Sequence, residues 1–115
     1  MAIERLENGP RFCRVLTHNG IAYLAGMTAD DLSGDVVQQT EDTLAKVDRY
    51  LRMAGTDKSK LLTAVIWLRD IAEFDKMNSV WDNWIDRDCM PVRATVEARL
   101  AGDLYRVEIM VTAAI

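Results

Sequence analysis

The stretch that decides the fold is residues 91–100, which read PVRATVEARL. After the proline, polar or charged residues alternate with apolar ones, and this alternation is typical of a half-buried β-strand. A second alternating run covers residues 105–113, and Glu108 lies on its polar side. Because only a short link containing Gly102 separates the two runs, the pattern predicts an antiparallel hairpin. If their apolar faces align, we expect Arg93 and Glu108 on the same side of the sheet, as a candidate site.

The length and composition are typical of one soluble globular domain, which we expect to span residues 1–115. Half of the residues are hydrophobic, 28% are charged, and the net charge is −4. Because Lys and Arg form no cluster, we expect no nucleic-acid partner, since that function usually requires a basic patch. No apolar run approaches the roughly 18 residues of a membrane helix, and no signal peptide is evident. We therefore expect a cytoplasmic protein without membrane association.

The sequence offers no convincing metal site and requires no cofactor. Cys13 and Cys89 lie far apart, and without an export signal we expect them to be reduced, and buried or incidental rather than catalytic. The only histidine is His18, and no Cys-x-x-Cys pair is present, so the ligands of a zinc site are missing.

The remaining patterns predict the element order β-β-α-β-α-β-β. Strands at 12–18 and 21–25 flank Asn19-Gly20, a strong signal for a type I′ hairpin turn. Helical spacing runs from about 35 to 54, and Gly55 is a stop signal for this helix. Residues 61–68 are apolar on both faces, as expected for a strand buried on both sides. A second amphipathic helix follows at about 73–85, with Trp81 and Trp84 expected in the core.

These elements predict an α+β fold, a single mixed β-sheet with two helices on one face, because strand–helix–strand crossovers are right-handed. The other face is then bare, and we expect it to carry Val65, Trp67 and Met110 beside Arg93 and Glu108. An apolar patch of this size is seldom exposed on a monomer. We therefore expect identical subunits to cover it in a closed ring, with the candidate site near a cleft between subunits.

The motifs in this order resemble those of the Rid family, the reactive intermediate deaminases, also called YjgF-type proteins. Residues 91–97 are similar to the family's Pro-x-Arg-x-x-Val stretch, and residues 107–109 to its closing Val-Glu-Ile. The similarity covers most of the chain from about Phe12 and indicates a divergent branch. It implies a chorismate-mutase-like homotrimer with clefts between subunits. It also implies hydrolysis of reactive enamines and imines, such as 2-aminoacrylate, to 2-keto acids and ammonia.

The resemblance also implies roles for individual residues. The family's carboxylate-binding arginine falls on Arg93, and the acidic residue that lies near the water falls on Glu108. An aromatic residue near the N-terminus, usually tyrosine, falls on Phe12. The family's Ser-Gly-Gln loop is Ala-Gly-Met here, at residues 25–27, and its cysteine two positions after the arginine is Thr95. The implied substrate-binding residues are therefore Arg93, Phe12, Thr95 and Met27.

The chemistry of such a substrate explains why these residue types are suitable. An imine of a 2-keto acid carries a carboxylate beside an electrophilic carbon, and the planar guanidinium of Arg93 can bind it with two parallel charge-assisted hydrogen bonds. Glu108 would act as a general acid or base, a role worth typically about 10²–10⁴-fold in rate. Structural roles stay open, because Arg93 can form a surface or interface salt bridge and Glu108 can pair with Arg106 or Arg99.

Three functions are therefore compatible with the sequence. We favour the deaminase, because the arginine and the carboxylate are both present. A non-catalytic regulatory protein that binds small carboxylates or keto acids in the same cleft would fit the altered loop at residues 25–27. A ribonuclease is the least compatible of the three, because the chain is acidic and has no basic stripe.

Overall fold

One six-stranded sheet carries two α-helices in the computed structural model, which describes residues 2–115. The strands and helices follow in the chain as β1 (Glu4–Asn8), β2 (Cys13–His18), β3 (Ile21–Leu24), α1 (Val36–Met53), β4 (Leu61–Leu68), α2 (Phe74–Trp84), β5 (Val92–Glu97) and β6 (Val107–Ala114). Short 3₁₀ helices precede β4 (Lys58–Lys60) and α2 (Ile71–Glu73). The α+β class and the predicted order from β2 onward are confirmed.

The sheet has the strand order β1-β2-β3-β6-β4-β5. All neighbouring pairs are antiparallel except β4 and β5, which are parallel, so the sheet is mixed as predicted. Strand β1 was not predicted. Its side chains are mostly exposed, and only Leu6 packs against the core, so the segment has little of the hydrophobic patterning by which a strand is identified.

The predicted hairpin between residues 91–100 and 105–113 is wrong, because β4 lies between β5 and β6. Ala64 of β4 pairs with Arg93 on one side and with Val111 on the other. Helix α2 carries the chain back along the sheet, so that β5 can run parallel to β4, since a parallel pair requires a crossover connection. The link then passes around the end of β4, where Ala98 N donates to Leu68 O and Arg69 N donates to Arg106 O.

Both helices pack on one face of the sheet, as predicted, and the core lies between the two layers. Strands β2, β3, β4 and β6 direct every second side chain into it, among them Val15, Leu24, Ile66 and Ile109, which are at most 1% exposed. Helix α1 begins with a capping box in which Asp35 and Gln38 bond reciprocally to each other's backbone N–H. Within residues 2–115, neither helix is long and apolar enough to span a lipid bilayer.

The register of the sheet separates Arg93 from Glu108. Residues that pair across neighbouring strands point to the same side, and Arg93 pairs with Ala64, which lies in the core on the helix side. Glu108 pairs with Trp67, on the opposite side. The prediction that the two residues share a face is therefore wrong. That prediction assumed that the apolar faces of residues 91–100 and 105–113 point to the same side of the sheet. They do not, because the apolar residues of β5, such as Val96, point away from the helices.

The face without helices carries a band of apolar side chains, as predicted for Val65, Trp67 and Met110. Register places Met110 beside Val65, and Trp67 beside Val96. Val96 and Met110 are 45% and 42% exposed. We refer to this side of the sheet as the open face.

Candidate functional site

Arg93 lies at the edge of the sheet, on the side covered by α2. Its guanidinium carbon is 5.1 Å from the centre of the Trp81 ring and 5.9 Å from that of Phe74. It lines a depression of about 320 Å³ together with Asn78, Trp81, Asp82, Met90 and Pro91. A single strand and a single helix thus position a partly buried cation at an opening to the surface.

The charge of Arg93 is not neutralised by any carboxylate within the described chain. Among residues 2–115, its side chain makes no salt bridge within 4.0 Å and no hydrogen bond. Burial lowers the pKa of Arg93, and the more distant charge of Asp82 partly opposes this effect. Arginine nevertheless stays protonated in proteins, so its N–H donors are available to an anion.

Two buried polar atoms near Arg93 also lack hydrogen-bond partners. They are Oδ1 of Asn78, whose residue lines the same depression, and Oγ1 of Thr95, which follows Arg93 by two positions and points to the same side of β5. Most buried polar atoms in proteins are hydrogen-bonded. Each of these atoms can therefore accept a hydrogen bond from a ligand, a water or a second subunit.

Glu108 lies partly buried on the open face, where β6 passes residues 25–27. Burial raises the pKa of its carboxyl group. The carboxylate lies so close to Gly26 that a Cβ atom at position 26 would collide with it. The alternative pairings with Arg106 and Arg99 are not observed within residues 2–115, since Arg106 faces Glu73 at 3.6 Å and no ion pair of Glu108 is formed.

Phe12 precedes β2 and is 56% exposed. The Arg14 guanidinium lies 5.2 Å from the centre of its ring. Phe12 contributes to a shallow depression of about 610 Å³ that also includes Tyr23, Ala25 and Met110, and so borders the open face. Phe12 is therefore on the same side as Glu108 and not on the side of Arg93.

Met27, which the resemblance places among the substrate-binding residues, does not line either depression. Its side chain is completely buried in the core. Its N–H donates to the Ile109 carbonyl at 2.8 Å, and its carbonyl accepts from the Ile109 N–H at 2.9 Å. This bridge directs the side chain of Met27 inward with that of Ile109, so the residue supports β6 from within the core.

The structure adds Phe74, Asn78 and Trp81 to the surroundings of Arg93. Trp81 is buried, as predicted, but it also contacts the guanidinium. The three residues have the spacing i, i+4, i+7, which places them on one face of a helix. That spacing is visible in the sequence, but only the parallel pairing of β5 with β4 shows that this face meets Arg93.

A separate groove of about 470 Å³ lies between α1 and α2, away from both candidate residues. Within it, Nε1 of Trp84 donates to Asp48 Oδ2 at 2.9 Å, and Lys58 lies 5.2 Å from the centre of the Trp84 ring. These contacts tie α2 to α1 and to the 3₁₀ helix that precedes β4.

Comparison with known proteins assigns the chain to a family. The family model described as Endoribonuclease L-PSP matches residues 3–115. A RutC family protein of Haemophilus ducreyi is 44% identical over 113 residues, covering 98% of this chain and 97% of that protein. The RutC family protein YoaB of Escherichia coli is 39% identical over 115 residues and covers the full length of both chains.

Solved structures agree with the sequence comparison. A member of the YjgF protein family from Neisseria meningitidis superposes with a TM-score of 0.96 at 42% identity, covering 99% of this chain and 95% of that one. A protein of the Rid family from Yersinia pestis gives a TM-score of 0.92 at 25% identity, covering 99% of this chain and all of that one. Matches over almost the whole length, in sequence and in fold, show that this chain belongs to the family of YjgF, RutC and Rid proteins.

Proposed function

We propose that the protein hydrolyses reactive enamines and imines of 2-keto acids, releasing the keto acid and ammonia, without a metal or organic cofactor. Arg93 holds the substrate carboxylate and Glu108 transfers protons. Membership of the family is compatible with this activity, and the activity, the substrate and the residue roles are our proposal. The observation that carries it is the partly buried Arg93, which faces an open depression and, within residues 2–115, forms no salt bridge, not even with Asp82 of the same depression.

The active site in this proposal lies between two subunits. Arg93 and Glu108 project from opposite sides of the same sheet, so one chain cannot bring both to one small molecule. The apolar open face, with exposed Val92, Val96 and Met110, is suited to burial against a second copy of the chain. A closed ring of three copies would place Arg93 of one subunit opposite Glu108 and Phe12 of the next.

The reaction would use these groups in a simple order. An enamine first takes a proton on its terminal carbon and releases one from its nitrogen, which gives the imine. Water then adds across the C=N bond: its oxygen bonds to the carbon and one of its protons passes to the nitrogen. In the resulting carbinolamine the hydroxyl group gives up its proton and the nitrogen takes one up as the C–N bond breaks, so the products are the keto acid and ammonia. Burial raises the pKa of Glu108 above that of an ordinary glutamate, which is the direction that favours its use as a general acid.

The proposal is tested by following the loss of freshly generated 2-iminopropionate in the presence of the protein. We expect wild-type protein to accelerate the loss over buffer and Arg93→Ala to reduce the acceleration at least about tenfold, since a charge-assisted bidentate contact is removed. Arg99→Ala, an exposed arginine on the chain beyond β5, is the matched control. Equal rates for Arg93→Ala and wild type would refute the assignment. Light scattering that reports a monomer at micromolar concentration would refute the shared cleft.

A second candidate is a protein that binds keto acids without turning them over. It is favoured by the state of Glu108, whose carboxylate forms no salt bridge within residues 2–115 that would orient it. Pyruvate that protects the protein against thermal unfolding, together with no acceleration of imine loss, would support this alternative. Ribonuclease activity, suggested by the name of the family model, is disfavoured by the net charge of −4.

A further inference from the structure

The cation of Arg93 is stabilised by aromatic rings where a carboxylate would be the more common partner. Trp81 and Phe74 present their rings at 5.1 Å and 5.9 Å from the guanidinium carbon, within the range of a cation–π interaction. Within residues 2–115, the acidic group that acts on Arg93 is Asp82, through its charge and without a salt bridge. The rings therefore provide the principal contacts of this side chain within the described chain.

This choice of partner has a chemical consequence for anion binding. A carboxylate beside Arg93 would occupy its N–H donors and would repel an anionic ligand. An aromatic face attracts the same cation while leaving the donors in the guanidinium plane unoccupied. The donors are then free to form two parallel bonds with one carboxylate.

The rings are themselves held in position. Trp81 is only 4% exposed, and its ring centre lies 5.4 Å from that of Trp84. Trp84 is fixed in turn by its hydrogen bond to Asp48 of α1. Phe74, at the first turn of α2, is 37% exposed and lies at the surface. The buried ring thus supplies a rigid support, and the surface ring restricts the guanidinium from a second direction.

We propose that Trp81 and Phe74 are positioning residues, which orient Arg93 for a bidentate carboxylate and take the place of an acidic partner. This inference rests on the proposed function, because it assigns Arg93 to carboxylate binding. It assigns neither ring to the chemistry itself. Loss of a ring is therefore expected to weaken the binding of the carboxylate and to raise KM, with a smaller effect on kcat.

The test measures the affinity for pyruvate by titration calorimetry and the KM for 2-iminopropionate in four proteins: wild type, Trp81→Leu, Trp81→Phe and Phe74→Leu. We expect Trp81→Leu to bind pyruvate about three- to thirtyfold more weakly, from the usual strength of a cation–π contact. Trp81→Phe keeps an aromatic face and should stay within about threefold of wild type. If Trp81→Leu does not fold, Phe74→Leu provides the test, because Phe74 lies at the surface and its replacement should be tolerated.

A matched control separates positioning from a loss of stability. Tyr50 is also a buried aromatic residue whose ring lies against an arginine, with Arg49 at 4.9 Å from its centre, but it belongs to α1. Tyr50→Leu should lower the melting temperature and leave pyruvate affinity unchanged. If wild type binds pyruvate and both Trp81→Leu and Phe74→Leu bind it equally well, the inference alone is refuted. If wild type neither binds pyruvate nor consumes the imine, the proposed function fails and the inference fails with it.

Discussion

Replacing Gln39 by leucine should strongly destabilise the protein, although leucine is apolar and similar in size. Gln39 is a completely buried polar residue of α1. Its Nε2 donates to the carbonyls of Leu32, Gly34 and Leu104 at 3.3, 3.2 and 3.0 Å, and its Oε1 accepts from Arg106 N at 3.0 Å. One side chain thus holds the loop before α1 and the link that leads into β6, two residues ahead of Glu108.

The expected loss follows from these bonds. Leucine would leave the Arg106 N–H and the Leu104 carbonyl without the partner that Gln39 supplies, at a cost of about 1–3 kcal/mol for each of these partly buried groups. The apolar side chain recovers part of this loss by its own burial. We therefore expect the free energy of unfolding to fall by about 2–4 kcal/mol, which corresponds to a melting temperature lower by about 8–16 °C for a domain of this size.

Urea and thermal unfolding followed by circular dichroism would measure the loss, at one fixed protein concentration because association contributes to stability. The matched control is Gln38→Leu, a neighbouring exposed glutamine that only completes the capping box of α1. We expect this control to lose no more than about 1 kcal/mol. A loss for Gln39→Leu that is no larger than that of the control would refute the reasoning.

Three further predictions concern the site and its support. Burial raises the pKa of Glu108, so the folded protein keeps this proton at pH values where the unfolded chain has released it. The free energy of unfolding of the wild type should therefore fall as the pH rises from the ordinary pKa of a glutamate to this higher pKa. Urea unfolding from pH 4 to pH 8 should show this fall for the wild type and not for Glu108→Gln. Identical pH profiles would contradict this. Gly26→Ala should lower the free energy of unfolding by less than about 1 kcal/mol, because the flexible Glu108 carboxylate can move away from the added methyl group. The same change should nevertheless reduce the imine-hydrolysis rate as much as Glu108→Gln does. An unchanged rate would show that the carboxylate position is unimportant. Trp84→Phe removes the bond to Asp48 and should lower the free energy of unfolding by about 1–3 kcal/mol, whereas Asp48→Asn keeps an acceptor and should lose less. Equal losses would indicate that the contact contributes by packing alone.

Much of the secondary structure could be predicted from local patterns, because the local signals agree with the fold. The helix expected from about residue 35 is α1, capped by Asp35, and the strand expected at 61–68 is β4 with the same bounds. The turn at Asn19-Gly20 joins β2 to β3, and both residues have the positive φ that such a turn requires. These features depend on neighbouring residues, so a single sequence is sufficient to identify them.

The candidate site was predicted less completely, because its residues are brought together by the pairing of strands that are distant in the sequence. Arg93 and Glu108 stand where a ligand can reach them, but the expected shared face does not exist in one chain. The Met27 side chain points into the core, because its backbone pairs with Ile109. Trp81 was expected only in the core, and its contact with Arg93 depends on the crossover that sets β5 against β4.

The sequence by itself determined the element types and their order from β2 onward, together with the arginine and carboxylate at the centre of the proposal. It did so because turns, caps and hydrophobic periods are local properties of the chain. Only the tertiary structure decided that β4 lies between β5 and β6 and which side of each strand meets the helices. Alternation divides the side chains of a strand into two faces, but it does not show which face meets the helices. A shift of one residue in the strand pairing exchanges the two faces. The long-range pairing of β4 therefore places Arg93 beside the rings of α2 and Glu108 on the open face.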